Sequence, residues 1–84
     1  MSYGLFIHRS AQKALAAMPK DDFPLVMNAI RALPNDPRPH GCKKLVDRDA
    51  WRIRVGSYRV IYEIDDARLT VTVVKVGHRR DIYR

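Results

Sequence analysis

The segment that decides the fold is Trp-Arg-Ile-Arg-Val-Gly-Ser-Tyr-Arg-Val-Ile-Tyr-Glu-Ile, residues 51–64. It holds two runs of β-branched and aromatic residues, which are typical of strands, separated by Gly56-Ser57. Glycine at the first central position of a two-residue connection is what a type II′ turn requires, and the length of that turn fixes the register of a hairpin. We therefore predict a β-hairpin in which Arg54 lies directly opposite Arg59.

This hairpin has an apolar face and a cationic face, because side chains alternate with a period of two along a strand. Arg52, Arg54 and Arg59 share one face. Like charges set opposite each other on neighbouring strands cost stability, and the planar guanidinium fork binds phosphate with two hydrogen bonds, so the cluster favours an anion site. The alternative is that Glu63 and nearby acids neutralise it. The apolar face, which we assign to the core, carries Trp51, Ile53, Val55, Tyr58, Val60, Tyr62 and Ile64.

Residues outside the hairpin predict one more strand and two helices ahead of it. Residues 3–8 read as a short first strand, with Leu5 and Ile7 on one face. Ser10 is the expected N-cap of a helix that Pro19 ends. A second helix begins near Asp22, tolerates a proline in its first turn, and ends at Pro34. The apolar residues expected to face inward are Ala14, Leu15 and Met18 on the first helix, and Phe23, Met27, Ile30 and Leu33 on the second.

The rest of the chain predicts a loop and a final strand. Residues 34–42 contain three prolines and a glycine and form a loop. Residues 69–76 read as a third hairpin-connected strand after a loop at 65–68, with Leu69, Val71 and Val73 on the core side. The expected fold is therefore α+β, a single domain over residues 1–84: a short N-terminal strand, an α-helical hairpin packed on one sheet face, and a three-stranded antiparallel meander.

Composition and charge narrow the class of protein. The formal net charge is +7, of which residues 38–84 carry +6, a distribution that attracts nucleic acid or another polyanion. No apolar run approaches the roughly 20 residues that span a bilayer, so we expect no membrane role. A single cysteine and an N-terminus without the features of a secretory signal favour the cytoplasm. The histidines and Cys42 lack zinc-site spacing, so we expect no metal and no cofactor.

Residues 51–64, followed by Val-Lys-Val-Gly-His-Arg-Arg-Asp-Ile-Tyr-Arg at 74–84, resemble the RelE branch of the RelE/ParE superfamily of type II toxin–antitoxin toxins. The resemblance implies a ribosome-dependent endoribonuclease that cleaves mRNA in the A site and inhibits translation. ParE-type members share the strand that contains Tyr58–Tyr62 and are gyrase inhibitors without nuclease activity, so a ParE-like role is the alternative. A nucleic-acid-binding module without enzymatic activity is a third.

The same resemblance assigns the residues of the site. It implies Arg59, Arg79 and Tyr83 as catalytic residues, with Tyr83 the general base that takes the proton of the ribose 2′-hydroxyl, its phenolate favoured by the surrounding guanidinium groups. Arg79 or His78 would assist the leaving group. Two departures from the family pattern bear on this assignment: the tail between arginine and tyrosine is shorter than in the best-known members, and His78 stands where a lysine can occur. The residues expected to bind RNA are Arg52, Arg54, His78, Arg80, Lys43 and Lys44, although the last two could instead form a solvated charge run.

The implied partners are the ribosome with its mRNA and a cognate acidic antitoxin of the RelB type. An acidic, partly disordered chain that folds over the basic half would match its charge. The toxin–antitoxin complex is then expected to be hetero-oligomeric.

Overall fold

The computed structural model describes residues 2–78 as two helices and a five-stranded mixed sheet. The order across the sheet is β1-β5-β4-β3-β2. This architecture confirms the predicted α+β class. The elements in chain order are β1 (Gly4–Ile7), α1 (Arg9–Ala16), α2 (Phe23–Ala32), β2 (Lys43–Lys44), β3 (Trp51–Val55), β4 (Tyr58–Asp65) and β5 (Thr70–His78).

The β3–β4 hairpin has the predicted register. Arg54 pairs with Arg59, and Val55 pairs with Tyr58 across the turn. Gly56 adopts φ +59°, whereas the following Ser57 stays at negative φ. Positive φ at the first central residue alone is the type II′ pattern, so the glycine sets this turn as its position predicts.

Two pairings extend the sheet beyond the predicted meander. β1 runs parallel to β5, with Gly4 opposite Thr70 and Ile7 opposite Val73. β2 pairs antiparallel with the first half of β3, with Lys43 opposite Arg52. Parallel neighbours need a long connection, which here is almost the whole chain, and two residues are too few to give a strand pattern. Neither pairing has a local signal in the sequence.

The first helix begins at Arg9 with His8 as its N-cap, so the prediction that Ser10 caps it is wrong. The His8 imidazole nitrogen Nδ1 accepts from the backbone N–H of Ser10 at 3.4 Å. The Ser10 hydroxyl donates instead to the backbone carbonyl of Val74 on β5, at 3.2 Å. The serine is therefore free to join α1 to the sheet because the preceding histidine supplies the cap.

The second helix begins as predicted, with Asp22 as its N-cap and Pro24 in its first turn. Its buried stripe is Val26, Ile30 and Leu33, each at most 1% exposed. The prediction that Phe23 faces inward is wrong, because its side chain is 39% exposed. Phe23 is the first residue of the helix and lies before the start of the buried stripe.

The main core lies between the helices and one face of the sheet. Tyr62 is fully buried there, and its phenol donates to the backbone carbonyl of Pro37 at 2.7 Å, which fastens the loop before β2 to the sheet. Burial raises the pKa of Tyr62. The buried members are Ala11, Leu15, Val26, Ile30, Leu33, Ile53, Val60, Tyr62, Val71, Val73 and Val76.

Leu69 does not join this core, contrary to prediction. It has φ +55° and is 41% exposed. It lies in the turn that links β4 to β5, and β5 starts one residue later than the sequence indicates. The turn places Leu69 in a left-handed conformation, so its side chain leaves the alternation of the strand.

Across residues 2–78, neither helix has the length and apolarity needed to cross a bilayer.

Candidate nucleic-acid interface

Four basic side chains meet on the sheet face opposite the helices. Arg54 pairs with Arg59 across the hairpin, and Arg52 lies two residues before Arg54 on the same face. Lys43 on β2 is opposite Arg52 and therefore shares this face. We call Lys43, Arg52, Arg54 and Arg59 the basic face. The register brings these four predicted site residues together.

The basic face is partly covered, in contrast to the open side that strand alternation alone suggests. Ala50 and Ile61 are buried there, at 0% and 7% exposure, and Leu45 and Val74 pack against them. The segment between β2 and β3 folds back through a hydrogen bond from Leu45 N–H to the Ala50 carbonyl, at 2.9 Å. This second apolar cluster separates the arginines from the acidic end of the same face.

The two facing arginines differ in burial. Arg54 is exposed, while Arg59 is 8% exposed. A buried long side chain has little rotamer freedom, so it holds its guanidinium at a fixed place and spends less entropy when it binds an anion. Arg59 therefore suits a fixed anchor for one phosphate, and Arg54 an adaptable contact.

Glu63, the first acid after Arg59 on β4, is engaged with another cation. Glu63, on the same face of β4, pairs with Arg48 at 3.5 Å. Among residues 2–78, no acid forms an ion pair with Arg54 or Lys43. Glu63 therefore leaves Arg54 and Lys43 charged, and the alternative that nearby acids neutralise the rest of the cluster stays a prediction. Within residues 2–78, further ion pairs join Arg38 to Asp66, Lys44 to Asp49, and Arg68 to Asp65.

Lys44 lies on the other side of the sheet from the basic face. It pairs with Trp51, whose side chain packs against the main core, and its ammonium lies 3.5 Å from a carboxylate oxygen of Asp49. The two lysines of β2 therefore separate: Lys43 joins the arginines and Lys44 does not. The alternation of a strand requires this, although no residue pattern indicates a strand here.

His78 is also placed away from the arginines. It pairs with Tyr58 on the sheet face that the helices cover. The two rings make an edge contact with centroids 5.8 Å apart and planes at 80°. The Tyr58 phenol donates to Asp22 Oδ2 at 2.7 Å, and that hydrogen bond to a carboxylate raises the pKa of Tyr58. Gly77, the residue before His78, is the one opposite Arg59. One step along β5 thus moves the histidine to the opposite face.

Arg79, Arg80 and Tyr83 lie outside the described residues. Their roles as two catalytic groups and one RNA contact stay predictions. Of the three predicted catalytic residues, the structure describes Arg59.

Lys75 is a basic residue that the sequence analysis did not single out. It is exposed and lies opposite Ile61, which places it on the same sheet face as Arg59. The only signal in the sequence is the consecutive pair Val73-Val74, which breaks the alternation of β5.

Residues 2–78 contain no grouping of three or more histidine, cysteine, aspartate or glutamate side chains that could hold a metal ion. Cys42 is a free thiol, half-buried at the edge of the main core.

This fold is shared with toxin chains from solved toxin–antitoxin complexes. The family described as ParE toxin of type II toxin–antitoxin system, parDE, matches residues 5–83, and the chain therefore belongs to this family within the RelE/ParE superfamily. It is a toxin of the type II toxin–antitoxin class.

Individual relatives carry RelE-type names. Toxin RelG of Mycobacterium tuberculosis (strain ATCC 25618 / H37Rv) is 55% identical over 31 residues, a match that spans 37% of this chain and 36% of that toxin. The archaeal RelE–RelB complex from Pyrococcus horikoshii OT3 has a chain with TM-score 0.84 and 29% identity, covering 96% of this chain and 99% of that one. The M. tuberculosis toxin–antitoxin complex RelBE2 gives TM-score 0.83 and 27% identity, covering 94% and 100%.

Proposed function

We propose that this protein is a ribosome-dependent endoribonuclease, which cleaves mRNA in the A site and so inhibits translation in the cytoplasm. The observation that carries the proposal is the basic face itself, where Arg54 lies opposite Arg59 with Arg52 and Lys43 alongside. A protein selected only for stability gains nothing from two facing arginines. Their placement is useful when a phosphate chain lies across them.

The proposed reaction uses the RNA's own nucleophile. The ribose 2′-oxygen attacks the adjacent phosphorus as its proton leaves, the bond from phosphorus to the 5′-oxygen breaks, and that oxygen takes up a proton. The products are a 2′,3′-cyclic phosphate and a 5′-hydroxyl end. Negative charge builds up on the phosphorane in between, and fixed guanidinium groups stabilise such charge. We assign this role to Arg59, with Arg52 and Arg54 binding the flanking backbone.

The proton transfers fall to the C-terminal tail in this proposal. Tyr83 takes the proton of the 2′-hydroxyl, and Arg79 stabilises the departing 5′-oxygen while water protonates it. An arginine is a poor proton donor because its guanidinium stays charged at any physiological pH. His78 is less suitable than water as the proton donor, because it packs against Tyr58 on the sheet face that the helices cover. No step requires a metal.

An acidic antitoxin of the RelB type is the proposed regulator. The similar structures from P. horikoshii and M. tuberculosis are complexes of a toxin with its antitoxin. The net charge of +7 suits a negatively charged partner that folds over the basic face and excludes RNA. The complex is then a hetero-oligomer that releases active toxin when the antitoxin is lost.

Purified protein added to ribosomes programmed with a defined mRNA tests the activity. We expect codon-phased cuts whose new ends map to the A site. The cuts should disappear with Arg79→Ala and with Tyr83→Phe, and weaken with Arg54→Ala. Lys13→Ala, which removes an exposed lysine from the helix side of the molecule, is the matched control and should cut like the wild type. Intact mRNA at high occupancy of the ribosome contradicts the proposal.

A ParE-like gyrase inhibitor is the second candidate, because the matching family is described as a ParE toxin. Such a protein binds its target without cleaving RNA. A supercoiling assay run with the same preparations separates the two functions. Inhibited supercoiling with uncut mRNA establishes the second candidate, and RNA binding without either effect leaves a non-enzymatic RNA-binding module.

A further inference from the structure

Strand β5 contains a β-bulge at Val74. On one side of it Ile61 pairs with Lys75, and on the other Tyr62 pairs with Val73, so Val74 has no opposite residue. Two consecutive residues of β5 then share one face. Val74 packs against Ile61 and Ala50 in the second apolar cluster, and Lys75 lies beside it on that same face.

The bulge decides which way Lys75 points. Without it, alternation from the buried Val71 and Val73 would send Lys75 towards the helices and Val76 to the opposite face. The structure shows the reverse, since Val76 is 5% exposed within the main core and Lys75 is exposed. Bulges bend a strand and re-aim side chains, often beside functional sites. Here the extra residue moves a lysine to the face that carries the arginines.

A hydrogen bond from α1 holds the bulge in place. The Ser10 hydroxyl on α1 donates to the Val74 carbonyl at 3.2 Å. A bulged residue leaves the regular hydrogen-bond ladder, and this serine supplies a donor to its carbonyl. The hydrogen bond from Ser10 holds the bulge in place, and the bulge sets the direction of the Lys75 side chain.

We propose that Lys75 is a further RNA-binding residue, which completes a basic track across the sheet from β2 to β5. This inference rests on the proposed function. Lys43 pairs with Arg52, Arg52 with Ile61, and Ile61 with Lys75, so one line crosses four strands. Three strand spacings amount to about 14 Å. The track binds the phosphate backbone of a single RNA strand that runs perpendicular to the strands of the sheet.

Nothing on the described part of the chain competes for the two lysines at the ends of this track. Both are exposed, and among residues 2–78 neither forms an ion pair with an acid. Ile61 lies between Arg52 and Lys75 and is buried in the second apolar cluster, so the track binds phosphates on either side of that cluster. This arrangement suits backbone recognition, since none of these contacts reads a base.

The test is a binding titration with a short single-stranded RNA whose riboses are 2′-O-methylated, so that it cannot be cleaved. Affinity is measured at several salt concentrations for wild type, Lys75→Ala, Lys75→Arg and Lys75→Glu. We expect a severalfold loss with alanine, a larger loss with glutamate, and wild-type affinity with arginine. The slope of log K against log salt should become shallower by about 0.7 for Lys75→Ala, the value for one phosphate contact with a single strand.

Two comparison variants separate this inference from the proposed function. Lys13→Ala, a lysine removed from α1, should bind RNA like the wild type. If Arg54→Ala weakens binding while Lys75→Ala leaves both affinity and slope unchanged, RNA contacts the basic face without Lys75 and the inference is wrong. If neither variant changes RNA binding, the proposed function is wrong as well. Thermal unfolding of each variant checks that the fold is retained.

Discussion

Arg54 and Arg59 are opposite neighbours in the hairpin, yet they carry their charges in different surroundings. Arg54 is exposed, whereas Arg59 is 8% exposed. Water screens the exposed charge, and the buried one keeps a stronger field because the local dielectric is lower. In the proposed function, the pair therefore combines an anchor with a contact that can adapt to the bound RNA.

Arg54→Ala should separate stability from binding. Removing one of two like charges on facing strands relieves repulsion worth roughly 0.2–1 kcal/mol, with solvent screening favouring the lower end. We expect the free energy of unfolding in urea to stay level or rise slightly while RNA affinity falls. A marked loss of stability would mean that Arg54 has a structural role. Arg54→Lys, which keeps the charge, is the matched control.

Alternation with a period of two correctly predicts which residues of the β3–β4 hairpin lie on the basic face. It assigns Arg52, Arg54 and Arg59 to one side, as the structure shows. It fails for Lys75 because the bulge at Val74 adds one residue to β5. A bulge depends on which residues pair across strands, and a sequence shows that pairing only where a short turn fixes it.

The β3–β4 turn is the element on which the basic face depends. Its register places the facing arginines, and its type II′ geometry rests on φ +59° at Gly56. A Cβ built at Gly56 meets nothing within 4 Å, so a side chain there is opposed by backbone conformation alone.

Gly56→Ala should therefore destabilise the protein by roughly 1–2 kcal/mol, the cost of a left-handed conformation for a residue with a Cβ. Urea unfolding monitored by circular dichroism measures this. Ser57→Ala, at the neighbouring position with negative φ, should change stability by no more than about 0.5 kcal/mol. Equal effects of the two substitutions would contradict the assigned turn type.

The loop before β2 is hydrogen-bonded to the turn between β4 and β5. Arg38 donates two hydrogen bonds to Asp66, and Tyr3 donates a third at 2.7 Å. The Arg38 guanidinium also lies over the Trp51 ring, 5.0 Å from its centroid. These hydrogen bonds, that from Arg38 first, hold the pKa of Asp66 below its usual value.

The Asp66 network predicts a loss of stability in acid. A carboxyl group with a lowered pKa in the folded state stabilises the protein above its unfolded pKa of about 4 and loses that contribution as the pH falls through the folded value. Wild type should be more stable than Asp66→Asn at neutral pH, and the difference should shrink below about pH 4. A difference that stays constant with pH would contradict the role of the charge.

Local signals in the sequence predict the elements better than their partners. Pro24 marks the start of α2, and Gly56-Ser57 marks the hairpin, because each acts through its own backbone. The parallel pairing of β1 with β5 and the two-residue strand β2 come from tertiary contacts. The cap of α1 also depended on context, since His8 took a role for which serine is the commoner residue.

The whole molecule carries a positive charge that is unevenly distributed over its surface. The net charge is +7, and within residues 2–78 the two acids that β4 carries on the arginine side, Glu63 and Asp65, pair with Arg48 and Arg68. Such a charge distribution raises the rate of encounter with polyanions and makes binding depend on salt.

RNA binding by the wild type should weaken steeply with salt. The four members of the basic face, with Lys75 as a fifth contact, give an expected slope of log K against log salt of roughly −3.5 for a single strand, at about 0.7 per phosphate contact. Fluorescence anisotropy over a range of salt concentrations measures it. A slope near zero would show that the arginines make no contact with the backbone.

The parallel pairing of β1 with β5 joins residues 4–7 to residues 70–73. A chain that stops before β5 leaves the edge of β4 without a partner and keeps β1 out of the sheet, because β1 has no other neighbour. Contacts between residues this far apart in the sequence form slowly, so we expect the pairing of β1 with β5 to come late in folding.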